Sequence, residues 1–140
     1  MNNERPILLV EDKPMDVDLT LRAFKRRHLS NPVHVARDGE EALAWIPRWQ
    51  SGEPTPVVIL LDLKLPRVDG LEVLRQFKGH AILRTIPVVV LTTSAEHQDV
   101  QTAYQLGANS DIFKPVEFEK FMDVIGQIDL YWTLVNQPPA

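Results

Sequence analysis

The chain has 140 residues, 15 basic against 19 acidic side chains, a formal charge of −4 and no cysteine. That length suits one domain with a core of its own. The missing cysteines exclude disulfides, thiolate chemistry and the best zinc ligand, and the acidic balance argues against non-specific nucleic-acid binding.

Ile7-Leu8-Leu9-Val10 is an uninterrupted β-forming run and predicts the first strand. Residues 16–27 carry Val17, Leu21 and Phe24 with charge between them, the spacing of an amphipathic helix. Lys25-Arg26-Arg27-His28 closes that helix with cations that complement its dipole. Val33-His34-Val35-Ala36 predicts a second, weaker strand, and Arg37-Asp38-Gly39 reads as turn chemistry. Residues 40–49 predict a helix with Ala42, Leu43, Trp45 and Ile46 on its apolar side, and Pro47 is expected to end its regular part. Residues 51–56 are a loop by composition.

Val57-Val58-Ile59-Leu60-Leu61 is the strongest strand signal, and its lack of alternation implies that both faces are covered. Residues 71–78 predict a helix that Gly79 is placed to end. Val88-Val89-Val90-Leu91 follows Pro87 as the next apolar strand, residues 98–106 form a helix stopped by Gly107, and Ile112-Phe113 is a short last strand. Residues 118–132 predict the final helix, with Phe118, Phe121, Val124, Ile125 and Ile128 on one side, and residues 136–140 are a tail. The four histidines, at 28, 34, 80 and 97, have no metal-ligand spacing and read as surface or turn residues. Trp45 and Trp49 fit core or boundary packing, whereas Tyr131-Trp132 near the chain end reads equally as core or as a partner surface. No apolar run reaches the roughly 18 residues of a membrane span. Residues 1–6 lack a signal-peptide pattern, so a cytoplasmic protein with no membrane partner is expected.

Strands alternate with helices throughout, which argues an α/β doubly wound (βα)5 fold around a parallel sheet. In such sheets ligands sit beyond the carboxyl ends of the strands. There the chain places Glu11-Asp12, Asp62, Thr92-Thr93-Ser94 and Lys114-Pro115. Alone, Asp12 reads as a helix cap and Asp62 as a turn starter; as a set, acids, hydroxyl and lysine point to chemistry. Clustered acids repel, and Mg²⁺, which prefers a few carboxylates plus water and phosphate oxygens, relieves that. The set suits phosphoryl transfer to an aspartate, a competent nucleophile toward phosphorus. Asp62 follows the central strand and is the nucleophile candidate, Asp12 with Glu11 would hold the metal, and Lys114 and Thr92 would neutralise the remaining phosphoryl oxygens.

In combination these residues resemble the receiver domain of two-component response regulators. The motifs are Ile7-Leu8-Leu9-Val10-Glu11-Asp12, Leu61-Asp62-Leu63-Lys64-Leu65-Pro66-Arg67-Val68-Asp69-Gly70, residues 87–93, and Lys114-Pro115. The resemblance covers residues 5–130. It implies a flavodoxin-like three-layer sandwich with strand order 2-1-3-4-5, and a single receiver domain over residues 1–140 with a core of 5–130 and an extension of 131–140. It also implies that Asp62 is the phosphoacceptor. Asp12, Asp62 and the backbone carbonyl of Lys64 would bind Mg²⁺, with Glu11 close by or acting through water. Thr92 would be the switch hydroxyl, Lys114 would contact the phosphoryl group, and the donor would be the phosphohistidine of a sensor histidine kinase.

A narrower likeness is carried by residues 11–16, 36–43, Leu91-Thr92-Thr93-Ser94 and Tyr131-Trp132. These resemble the single-domain response regulators that partner bacterial and cyanobacterial phytochromes. That subgroup implies a phytochrome kinase and a homodimer formed through the last helix and C-terminal extension. With no residues left for an output domain, a stand-alone receiver is expected, catalysing only its own phosphorylation and dephosphorylation. It would signal by a change in surface or self-association. Asp111 departs from the family, which commonly has an aromatic switch residue at that position, and an acid does not pack cheaply into an apolar pocket. Three rivals compete. A Mg²⁺-dependent phosphohydrolase of the haloacid-dehalogenase kind would need an acid where Lys64 stands, and a flavodoxin-like cofactor binder would meet repulsion from Glu11-Asp12. A phosphorylation-independent scaffold would have no use for the intact quartet of Asp12, Asp62, Thr92 and Lys114.

Overall fold

A computed structural model describes residues 5–113 apart from 27, 29, 82 and 93–96, together with Asp123. Five strands form one parallel sheet in the order β2-β1-β3-β4-β5: β1 (Ile7–Val10), β2 (Val33–Ala36), β3 (Val58–Asp62), β4 (Val88–Thr92) and β5 (Ser110–Phe113). Their registers pair Val10 with both Ala36 and Leu61, and Asp62 with Leu91. The expected strand order is therefore the observed one, and the carboxyl ends of the strands share one edge. The strands lie within a residue or two of the apolar runs that predict them.

Period-two alternation divides the strand residues between two apolar layers. Leu8, Val10, Ile59, Leu61, Val88 and Val90 face one way and pack with Ala42, Trp49, Val73, Leu74, Phe77 and Ala103. Ile7, Leu9, Val58, Leu60, Val89 and Leu91 face the other way, with Val17, Ala23 and Phe24. Every residue of β3 is buried, as its unbroken apolar run requires. The helices supplying these layers are α1 (Pro14–Arg26), α2 (Gly39–Leu43), α3 (Trp45–Gln50), α4 (Gly70–Gly79) and α5 (His97–Gln105). A 3₁₀ turn covers Leu83–Thr85. The expected helix over 118–132 and the extension after it lie outside the described residues.

Three expectations need correction. Helix α1 starts at Pro14 rather than Asp16, because proline suits the first helical turn, where its missing N–H has no partner to lose. Its buried side runs through Val17, Thr20, Ala23 and Phe24, while Leu21 is 38% exposed. Pro47 does not end its helix but sits in the first turn of α3. A proline at 47 can neither donate to the Leu43 carbonyl nor avoid crowding it, so the chain breaks at Ala44 and restarts. Helix α4 ends at Gly79, as expected, with His80 in extended conformation capping it.

Gly107 does stop its helix. It adopts φ +110°, its N–H donates to the Tyr104 carbonyl at 3.1 Å and that of Ala108 donates to the Ala103 carbonyl at 2.9 Å, a Schellman ending. His34 lies in β2, as its strand run predicts, and stacks on Trp45 at 4.6 Å between ring centroids. The stack continues through Trp49 to Phe77, joining the sheet edge to α3 and α4. At the end of the sheet where β4 begins, the half-buried Lys78 ammonium donates to the carbonyls of Arg84 and Ile86 and to Asn109 Oδ1.

Candidate metal and phosphoryl site

The carboxyl ends of β1 and β3 are fixed by the sheet, and the acids follow directly. Glu11 extends the β1 ladder by donating its N–H to the Ala36 carbonyl at 2.9 Å, and its carboxylate accepts from the Lys13 N–H at 3.2 Å. Asp62 is the last residue of β3, and its Oδ1 accepts from the Lys64 N–H at 3.0 Å. That short turn orients the carboxylate. Glu11 and Asp62 are buried, at 1% and 3% exposure. The Glu11, Asp12 and Asp62 carboxylates offer oxygens that all lie within 4.8 Å of one another.

Close packing of backbone explains how the loop after β3 stays tight against these acids. The Gly70 N–H donates to the Leu63 carbonyl at 3.1 Å. A Cβ at that position would fall 2.5 Å from Leu63 Cα and 2.7 Å from the Asp62 carbonyl oxygen, so only glycine fits.

The cluster fits a hard divalent cation. Asp12 Oδ1 is buried yet has no hydrogen-bond partner among the described residues, an arrangement that costs free energy unless something fills the place. All three donors are carboxylates, the ligand type of Mg²⁺, Mn²⁺ and Ca²⁺ rather than of zinc or copper.

Thr92 closes β4 and is 2% exposed. Since Asp62 pairs with Leu91, Thr92 stands one register position beyond the acid on the adjacent strand. Thr92 pairs in turn with Phe113 of β5, after which Lys114 is the next residue in the chain. Lys114 itself, like Thr93 and Ser94, lies outside the described residues. Of the predicted set, Glu11, Asp12 and Asp62 are thus brought together, Thr92 sits on the adjoining strand end, and Lys64 begins the connecting loop.

Two supporting residues escape sequence reasoning. Gly39 packs against Val68 and Arg67 pairs with Asp38, so each helps join the β2–α2 turn to the loop after β3. The turn residues 37–39 carry a turn signal but nothing in the chain pattern says what the turn packs against.

Residues 7–126 match the response regulator receiver domain family. The chain belongs to that family. It is 42% identical over 96% of its length to the probable methanogenesis regulatory protein FilR2 of Methanothrix harundinacea, covering 87% of that protein. It is 38% identical over 99% of its length to the response regulator Rcp1 of Synechocystis, covering 96% of it. Among solved structures, this receiver superposes on the Mn²⁺-bound form of Rcp1 with a TM-score of 0.89 at 36% identity, covering 97% of this chain and 99% of that one. The phosphorylated cyanobacterial phytochrome response regulator RcpA gives 0.90 at 34% identity, covering 98% and 99%. The bacteriophytochrome response regulator AtBRR gives 0.72 at 50% identity, covering 95% and 98%. The architecture is the flavodoxin-like receiver fold.

Proposed function

We propose that this receiver accepts a phosphoryl group on Asp62 from the phosphohistidine of a sensor histidine kinase, in a reaction that needs Mg²⁺. The observation that carries this reading is the buried Asp12 Oδ1, without a hydrogen-bond partner among the described residues, beside Glu11 and Asp62 at the carboxyl edge of the sheet. A Mg²⁺ ion held by Asp12 and Asp62, with the Lys64 carbonyl and with Glu11 beside it, would supply positive charge to the phosphoryl oxygens.

An Asp62 carboxylate oxygen attacks phosphorus, the phosphorus–nitrogen bond to the kinase imidazole breaks, and that nitrogen keeps the electron pair. The product is an acyl phosphate. Lys64 N–H holds the carboxylate in one orientation during the attack. Thr92 and Lys114 then donate to phosphoryl oxygens, Lys114 as a mobile point charge.

The similarity to RcpA and AtBRR supports a phytochrome as the kinase, so this is the partner to try first. Output runs through a change in the face built by the helix after Thr92, β5 and the final helix, or through self-association by the final helix and the extension carrying Tyr131 and Trp132. On this reading the kinase and the receiver would meet in the cytoplasm. Among the described residues no helix is long and apolar enough to cross a membrane.

Acetyl phosphate with Mg²⁺ tests the chemistry without a kinase. The wild-type chain should take up label and Asp62→Asn should take up none; full labelling of that variant would place the phosphoryl group elsewhere. Amide exchange with and without a phosphate mimic tests the output face, and unchanged exchange over residues 95–130 would overturn it.

A further inference from the structure

The loop of residues 63–69 begins beside one acid, Asp62, and is held on its far side by a different part of the chain. Gly39 donates its N–H to the Pro66 carbonyl at 3.4 Å, and a Cβ on Gly39 would fall 2.0 Å from the Val68 carbonyl oxygen. The residues on either side of Gly39 both reach Arg67: Asp38 Oδ2 lies 3.5 Å from its Nε, and Glu40 Oε1 lies 3.7 Å from its Nη1. Arg67 takes φ +71°, a left-handed conformation that side-chain-bearing residues avoid. A glycine would take that backbone without strain, so the position favours an arginine only through its side chain.

The turn that grips Arg67 is itself fixed. Asp38 Oδ1 accepts from the Glu41 N–H at 2.8 Å, and Glu41 Oε1 accepts from the Arg37 N–H at 2.9 Å. One residue before the turn, the Ala36 carbonyl holds the Glu11 N–H. Residues 36–40 therefore touch both segments that bear the clustered acids, the one after β1 and the one after β3.

On the reading that Glu11, Asp12 and Asp62 hold a divalent cation, we infer that Arg67 is a positioning residue: its ion pairs with Asp38 and Glu40 tie the loop after β3 to the β2–α2 turn and raise the cation affinity of the cluster. Electrostatics alone demands the opposite sign. A guanidinium near a cation site repels the cation, and removing it would leave Asp38 and Glu40 unneutralised, so both effects of deletion would tighten binding. At 62% side-chain exposure that repulsion is screened, and the holding effect governs.

Titration of the full chain with Mn²⁺, followed by the loss of the free-ion paramagnetic resonance signal, decides between the two. Arg67→Ala and Arg67→Gly should each bind Mn²⁺ about 3-fold more weakly than wild type, the scale expected of exposed ion pairs. Arg67→Glu should bind more weakly still, with recovery when Glu40→Lys is added. Equal or tighter Mn²⁺ binding by Arg67→Ala and Arg67→Gly would overturn the inference. The charge-swapped pair keeps it testable if either truncation unfolds, because failure of Glu40→Lys to restore affinity to Arg67→Glu would overturn it too. Asp12→Asn separates the two readings. If that variant loses Mn²⁺ binding while the Arg67 variants do not, the positioning role fails alone. If wild type and Asp12→Asn titrate alike, the metal reading fails and takes the positioning role with it.

Discussion

Asp12 presents a buried oxygen with no partner among the described residues, packed against two other carboxylates. The fold tolerates this oxygen without a cation only at a cost, because among the described residues no hydrogen bond offsets its burial. Asp12→Asn removes one charge and supplies a donor to the neighbouring acids. In the presence of a chelator it should therefore unfold at higher urea than wild type, by on the order of 1 kcal/mol, while losing most of its cation binding. A lower midpoint in chelator would mean that Asp12 holds the fold together rather than serving a ligand. Lys114→Ala should leave cation binding intact and slow uptake of label from acetyl phosphate, a split that titration and labelling report separately. The acids were legible in the sequence because each follows an apolar run directly, and a strand end is a chain-local event. Gly39 and Arg67 were not, because their roles arise from contacts between residues 38–40 and 66–68, far apart in the chain, that no periodicity encodes.

At the scale of elements, the strands were the most legible part. Unbroken runs such as Val88-Val89-Val90-Leu91 can be buried on both faces only inside a covered parallel sheet, and every residue of β4 is buried. Helix ends were less legible, since they depend on which carbonyl a proline crowds or which residue takes a left-handed φ. Pro47 broke its helix three residues upstream of itself, and Gly79 stayed helical where Gly107 did not. The first turn of α4 carries a testable pH dependence. Glu72 accepts from Arg75 and from Gln76, at 2.9 Å from the Arg75 Nε and 2.9 Å from the Gln76 amide. Those bonds lower its pKa from 4.5 to about 2, the Arg75 side chain contributing most. A depressed carboxylate stabilises the fold fully above pH 4.5 and loses that contribution as pH falls toward 2. The stability difference between wild type and Glu72→Gln should be constant above pH 5 and shrink across that window. A difference that stays flat down to pH 2 would show that the pair contributes nothing in solution.

At the scale of the whole molecule, the five-stranded order brings the ends of β1, β3 and β4 to one edge, so a ligand shared between those ends links segments far apart in the chain. A cation that binds only the folded form should stabilise all of it. At 100 times its dissociation constant, Mg²⁺ should add about 2.7 kcal/mol and raise the melting temperature by roughly 5–10 °C. Asp12→Asn should show no such rise, and an equal rise in that variant would place the ion elsewhere. That the sheet is parallel was legible because its strands alternate with helices, which cross over right-handedly; the strand order came only from the resemblance to receiver domains. The contact between the β2–α2 turn and the loop after β3 was not legible, since it depends on the sheet having already assembled.

The ring stack from His34 to Phe77 has a use at the bench. Of the three tryptophans in the chain, Trp45 and Trp49 lie 5.9 Å apart and nearly parallel. At that separation excitation passes between the two indoles, and their near-ultraviolet dichroism carries an exciton component that reports whether α3, which bears both rings, is formed. Replacing both with phenylalanine would leave Trp132 as the sole indole emitter, an optical window on the C-terminal extension while the receiver is phosphorylated.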